Sequence, residues 1–167
     1  DSRRVTVVAQ QAQAALVQVA QLLDTRQAGE YVFGGSDYLN APIPDPDGIL
    51  SSGMATQIAA AVAGLVPGGA AAVAAASLAA AGSDVVGVTP FSTYVSDPAT
   101  GLAEARRSVP AEDGSRVDYG LFANRNAAAA STGNTTGSWA RDLMRGLAVL
   151  AALDPSQVAL GADFQAV

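Results

Sequence analysis

Leu22-Leu23-Asp24-Thr25-Arg26, followed after Gln27 and Ala28 by Gly29-Glu30-Tyr31-Val32-Phe33-Gly34-Gly35-Ser36, is where an amphipathic segment gives way to aromatic and glycine residues. Upstream of it, Val5, Val8, Ala12, Leu16, Val19 and Leu23 recur every three or four residues, the period that lines one face of a helix. Gln10, Gln11, Gln13, Gln18 and Gln21 occupy much of the remainder. The spacing predicts a helix from about Arg3 to Ala28, closed at Gly29 by a left-handed residue. Such a helix spans about 39 Å at 1.5 Å per residue. Alone it is marginal, so its apolar stripe requires a helical partner.

Downstream, Glu30 to Phe33 is β-prone and places Tyr31 and Phe33 on one side and Val32 on the other, which predicts a short strand ending in a turn at Gly34 and Gly35. Pro42, Pro44 and Pro46 then enforce an extended loop. Ser51 or Ser52 can cap a helix carrying Met54, Ile58, Val62 and Leu65, ended by Pro67, Gly68 and Gly69. An Ala-rich helix over 70–81 stops at Gly82, completing a helical hairpin. Strands are expected at Val85–Val88 and Phe91–Val95, and a hairpin pairs Arg107–Ala111 with Arg116–Phe122 around Glu112, Asp113, Gly114 and Ser115. After a polar loop from Asn124 to Gly137, Trp139, Leu143, Leu147 and Leu150 define a second amphipathic helix over 138–153, with Ser138 as its cap. It is the natural partner of the first. Asp154, Pro155 and Gln157 have the spacing of a capping box with a first-turn proline and predict a final helix running to Val167.

Composition removes whole classes of chemistry. The 167 residues include no His, Cys or Lys, so all nine basic residues are Arg. No imidazole or amine can then activate a serine, and no thiolate is available as a nucleophile. Zinc sites built from His and Cys are excluded as well, leaving only oxygen ligands for hard cations. The acidic residues fall in turns rather than in catalytic pairs, so no enzyme is expected and neither a cofactor nor a metal is implied. A net charge of −6 opposes binding to nucleic acid or to an anionic membrane. The most apolar stretch, 59–81, is broken by Gly64, Pro67, Gly68, Gly69 and Ser77 and predicts no membrane span.

Half of the residues are hydrophobic, but many are Ala, which buries little area, so close helix packing has to compensate. The length suits one domain, or one carrying an insertion, cut from a longer protein. Three shorter patterns have ordinary readings. Asp45, Asp47 and Gly48 imitate part of a calcium loop but lack its distal Glu, and read as a Pro-rich turn. Asn134-Thr135-Thr136 matches a glycosylation sequon and indicates an exposed segment. Arg106 and Arg107 read as charges that discourage edge pairing on a strand.

The helix ending in Leu22 and Leu23, its polar trio, and the turn from Gly29 to Ser36 resemble the signature of the flagellar hook-associated protein 3 family, within the flagellin superfamily. That family's first long helix ends in a leucine pair and a G-x-Y-x-F-[GSA]-G turn. Val117, Tyr119, Gly120, Phe122, Ala123 and Asn124, followed by Leu143, Gly146, Leu147, Ala148 and Leu150, look like its hairpin and return helix. The resemblance covers roughly 3–38 and 90–160. The family's terminal segments, which carry its coiled-coil core and export signal, have no counterpart in these residues.

The resemblance implies an α+β fold, mainly α. A discontinuous rod domain, 1–38 and 90–167, would be a long antiparallel helix bundle with short β-hairpins. Residues 39–89 would form an inserted mixed subdomain containing the Ala-rich hairpin. It further implies a structural subunit of the bacterial flagellum, extracellular and exported by the flagellar type III route. Its partners would be flagellin and another hook-associated protein, with self-association in a ring or layer. Flagellin itself is the nearest alternative, and a secreted adhesin or carbohydrate-binding module using the inserted hairpin is another. Gly29, Gly34 and Gly35 would serve backbone turns, with Tyr31 and Phe33 as anchors beneath the helix pair.

Overall fold

A computed structural model describes residues 2–119, 122–124 and 133–167. The first helix, α1, covers Ser2–Leu23 and buries Ala9, Ala12, Leu16, Ala20 and Leu23. It stops five residues short of the expected Ala28, because Asp24 and Thr25 are drawn into other bonds. Thr25 Oγ1 donates back to the Leu22 carbonyl at 2.6 Å, and Asp24 Oδ1 accepts the Ile43 N–H at 2.9 Å. The chain then forms a small antiparallel pair, β1 (Arg26–Gln27) and β2 (Glu30–Tyr31). Ala28 and Gly29, with φ of 53° and 89°, form the two-residue turn between them. Two successive positive φ values are the type I′ geometry that matches strand twist. Gly29 is therefore a hairpin residue and not the end of the helix. The expected strand is reduced to Glu30 and Tyr31.

A single 310 turn, Ile49–Ser51, leads into α2 (Gly53–Ala63), whose N-cap is Ser52 with its hydroxyl accepting the Ala55 N–H at 3.2 Å. The next helix, α3 (Ala70–Gly82), lies against α2 as the anticipated helical hairpin. No strand forms at Val85–Val88. The N–H groups of Val88 and Thr89 both bond to the Val85 carbonyl, Gly87 takes a φ of 86°, and the Val88 carbonyl accepts the Met54 N–H at 2.7 Å. The β-branched residues thus make a turn that satisfies an otherwise orphan donor at the start of α2. Phe91–Val95 also departs from strand. Ser92 accepts the Val95 N–H and caps one helical turn, α4 (Thr93–Ser96).

The hairpin is present as β3 (Arg107–Pro110) and β4 (Arg116–Tyr119), in the register Val109 opposite Val117. Arg106 precedes the strand instead of belonging to it. Most of the expected polar loop, 125–132, lies outside the described residues, as do 120 and 121 of the second hairpin strand.

Helix α5 covers Trp139–Ala151. Ser138 occupies its N-cap position without a side-chain cap bond, and Asp142 Oδ1 instead accepts the Thr136 N–H at 2.8 Å. The capping box of Asp154 and Gln157 is present, but it opens a 310 helix (Pro155–Leu160). Gly161 breaks that element at a φ of 58°, and only one turn, α6 (Ala162–Gln165), follows. The long terminal helix is therefore absent.

The architecture is α+β and mainly α, with two small antiparallel sheets. Helices α1 and α5 run antiparallel: the groove beside Leu22 and Leu23 is shared with Trp139, while Gln13 Nε2 donates to the Ala151 carbonyl at the other end of α5. The alanines of both helices permit this approach. Residues set apart as an insertion are packed into the same centre, where Ile43, Met54, Ile58 and Val62 share one buried cluster with Leu16, Leu23 and Met144. Both α2 and α3 lie on α5. The larger side chains of α2 fill the space beside the thin alanine face of α1 and α5.

Candidate assembly face

The segment from Leu22 to Ser36 is fixed at four points. Asp24 ties it to Ile43, and burial raises the Asp24 carboxyl above its ordinary pKa, against the opposing pull of the Ile43 N–H and the Arg26 charge. The Arg26 guanidinium lies over the Tyr31 ring at 4.2 Å and also donates to the Tyr31 hydroxyl. The Val32 N–H reaches the Thr25 carbonyl at 3.0 Å, which closes the hairpin base. Last, Ser36 is held by Glu104, whose carboxylate accepts the Ser36 N–H at 3.0 Å and its hydroxyl at 2.7 Å. Tyr94 donates to the same carboxylate at 3.3 Å. Burial and the neighbouring Glu104 charge both push the Tyr94 phenol up.

Gly35 sits inside this clasp with a φ of 63°, and a Cβ there would stand 2.5 Å from Glu104 Oε2 and 2.9 Å from Phe122. Gly34 is buried and is similarly close to the Asp37 carbonyl, at 3.0 Å. Gly35 is favoured by both conformation and contact, whereas an added carbon at Gly34 would meet a tight contact alone.

Phe33 packs on Trp139 with ring centroids 6.2 Å apart and planes tilted by 55°, a geometry aromatic pairs favour. Both are partly buried against the central cluster. Tyr31 does not join that cluster; it is occupied by Arg26. An apolar groove of about 440 Å3 runs along this junction, lined by Val19, Leu22, Leu23, Thr25, Val32, Phe33, Trp139 and Leu143. Leu22 is 64% exposed while Leu23 is 1% exposed, so the leucine pair is divided between groove and core. On α5, Leu147 is partly buried, whereas Leu143 and Leu150 are exposed. The inward face of α5 is instead Ala140, Met144 and Ala148, displaced around the helix from the stripe of larger residues.

Two arginines escaped the sequence reading. Arg141 is buried, donates to the carbonyls of Asn124, Ala81 and Ser83, pairs with Asp84, and stands 5.3 Å from the Phe91 ring centre. One turn later, Arg145 donates to Ser77 Oγ at 3.0 Å and to the Ala74 and Asn134 carbonyls. The carbonyls at the end of α3 lack donor partners within their helix, and Arg141 supplies one. A cue existed in the sequence: Arg141 and Arg145 are four apart and flank the Ala140, Met144 and Ala148 face.

Among the described residues, no three His, Cys, Asp or Glu side chains cluster as metal ligands. No helix among them is long and apolar enough to cross a membrane. The arrangement is one of packing and backbone control, with apolar surface as its outward feature. Searches of protein-family models, curated proteins and solved structures found no match to this chain.

Proposed function

We propose that this chain is a structural subunit of the bacterial flagellum that joins the hook to the flagellin filament. One observation carries the reading. The segment from Leu22 to Ser36 leads from the long helix through a tight turn to Phe33, which packs on Trp139 of the antiparallel helix α5. A rigid joint of this kind transmits load between helix and loop without any turnover. In this reading α1 and α5 belong to a longer antiparallel bundle, the rod.

The partners are flagellin on one side and another hook-associated protein on the other, with copies of the chain arranged in a ring or layer. Location is extracellular, after export by the flagellar type III route. Export requires unfolding, which a chain without cysteine does not oppose with disulfides. Antibody labelling of isolated flagella tests the assignment. Label confined to a short band where hook meets filament is the expected result. Label along the whole filament would make the chain a flagellin, and flagella without label would remove the flagellar reading.

A further inference from the structure

We propose that Asn134 is a site of N-linked glycosylation, its side-chain amide carrying a sugar. Asn134-Thr135-Thr136 has the acceptor spacing, an amide followed two residues later by a hydroxyl with no proline between them. The other asparagines, Asn40, Asn124 and Asn126, are followed at that distance by Pro42, Asn126 and Ala128, so the pattern singles out one position.

The motif gives the position, and the fold decides whether a sugar fits there. Asn134 is exposed, and its loop is held through backbone groups. The Asn134 carbonyl accepts from Arg145 Nη1 at 3.0 Å, and the Thr136 N–H donates to Asp142 Oδ1 at 2.8 Å. Gly133 and Gly137, with φ of 84° and 78°, bracket the segment. None of these bonds uses the Asn134 side chain, so a sugar attached to it displaces none of them. Asn124 shows the contrast, being buried with its amide engaged by the Val95 carbonyl.

The Thr136 hydroxyl, the part of the motif that marks the acceptor for a transferase, is tied down in the folded chain. It donates to the Ser138 carbonyl at 3.2 Å and accepts the Ser138 N–H at 3.1 Å. Attachment therefore precedes closure of this loop, and the folded chain has only to accommodate the product. In the transfer, Asn134 Nδ2 bonds to the anomeric carbon of a sugar diphosphate. The bond from that carbon to the diphosphate oxygen breaks, the diphosphate carrier leaves with the electron pair, and the amide gives one proton to a base of the transferase. The carrier is a lipid or a nucleotide.

The neighbouring surface gives the sugar a role. The guanidinium that holds Asn134 also donates to the Ala74 carbonyl at 2.9 Å, which sets the loop against α3. On α3, Ala71, Ala72, Ala75, Ala76 and Ala79 are exposed, and no charged residue occurs between Asp47 and Asp84. A bulky hydrophilic group on Asn134 stands at the edge of this uncharged alanine surface and keeps it hydrated. The site goes beyond the flagellar reading and does not rest on it.

Peptide mass mapping of the chain purified from the organism that encodes it tests the proposal. Trypsin cuts after Arg125 and Arg141, so Asn134 falls in the peptide 126–141. That peptide is expected to carry one glycan that resists alkaline β-elimination, as an amide-linked sugar does and a sugar on a serine or threonine hydroxyl does not. A single hexose identifies a nucleotide-linked donor, and a preassembled oligosaccharide a lipid-linked one. Asn134→Gln, at an exposed position, should abolish the added mass with an unchanged circular dichroism spectrum. Thr136→Ala should abolish it too, whereas Thr136→Ser and Thr135→Ala should retain it. Recovery of 126–141 entirely at its unmodified mass overturns the proposal. So does a glycan that survives Asn134→Gln or is released by β-elimination.

Discussion

Glu104 holds Ser36 across 68 residues of chain, accepting the serine N–H at 3.0 Å and its hydroxyl at 2.7 Å. Hydrogen bonds to a charged group contribute about 1.5–3 kcal/mol each where they are sheltered, and less where water competes. Because this site is half-exposed, Glu104→Ala is expected to lower unfolding free energy by about 1–2 kcal/mol in urea titration. Glu104→Gln should lose less, since its amide oxygen still accepts. Equal losses for the two substitutions would mean that the clasp depends on charge and not on hydrogen bonding.

Glycine substitutions separate conformation from contact. Gly29→Ala meets only an unfavourable φ, with open space around the added carbon, and should cost about 1 kcal/mol. Gly35→Ala adds a collision with Glu104 and Phe122 and should cost about 2 kcal/mol or more. Gly146→Ala lies inside α5 with nothing within 4 Å and should stabilise by about 0.5–1 kcal/mol. Thermal melts of the three variants give the order directly, and a reversal of Gly29 and Gly35 would contradict the described turn.

Arg141 is the buried tie between α5 and the end of α3. Arg141→Ala leaves Asp84 and two or more carbonyls without their donor, and should cost about 3 kcal/mol or more by urea unfolding. Arg141→Lys keeps the charge but loses the fork that reaches several acceptors at once, so it should recover only part of the loss.

Acid dependence has two opposed components. Burial raises the Asp24 pKa above 3.8, so the folded chain binds that proton more readily than the unfolded chain does. This site therefore adds stability as pH falls through the range above 3.8. The carboxyls of Asp113 and Asp154 shift the other way, held below 3.8 by the hydroxyl and N–H of Ser115 and Ser156 respectively. Their contribution is present above 3.8 and is lost as pH falls below it. Asp24→Asn removes the first component alone. The stability of the parent chain relative to this variant should rise from pH 7 to pH 4, measured by urea titration at each pH, and a constant difference would exclude the assigned shift.

What the sequence made legible was mostly local. Ser52 before Met54, Gly82 after the alanine run, Gly114 between two strands and the Asp154–Gln157 box each determine structure through bonds to near neighbours. Distant partners hid the rest. Val85–Val88 has strand propensity, yet its carbonyls bond to Met54 and within its own turn. Helix α1 ends early because Asp24 has an acceptor's role towards Ile43, which no local pattern reveals.

The α5 stripe was misplaced for a different reason. Trp139, Leu143, Leu147 and Leu150 carry the larger hydrophobic signal, but the closest packing uses Ala140 and Ala148 with Met144 between them. Small residues set the approach of helices, and of the larger ones beside them Leu143 and Leu150 are left as surface, while Trp139 and Leu147 pack at the edge of the core. At the candidate face, the aromatic and glycine positions were visible in sequence, whereas Glu104 and Arg141, far away along the chain, were not.

Deletion of the gene in the bacterium that encodes this chain tests the proposed joining of hook to filament most directly. The expected result is hooks without filaments and flagellin monomers released into the medium, with filaments restored by the complementing gene. Filaments of normal length on the deletion strain would contradict it.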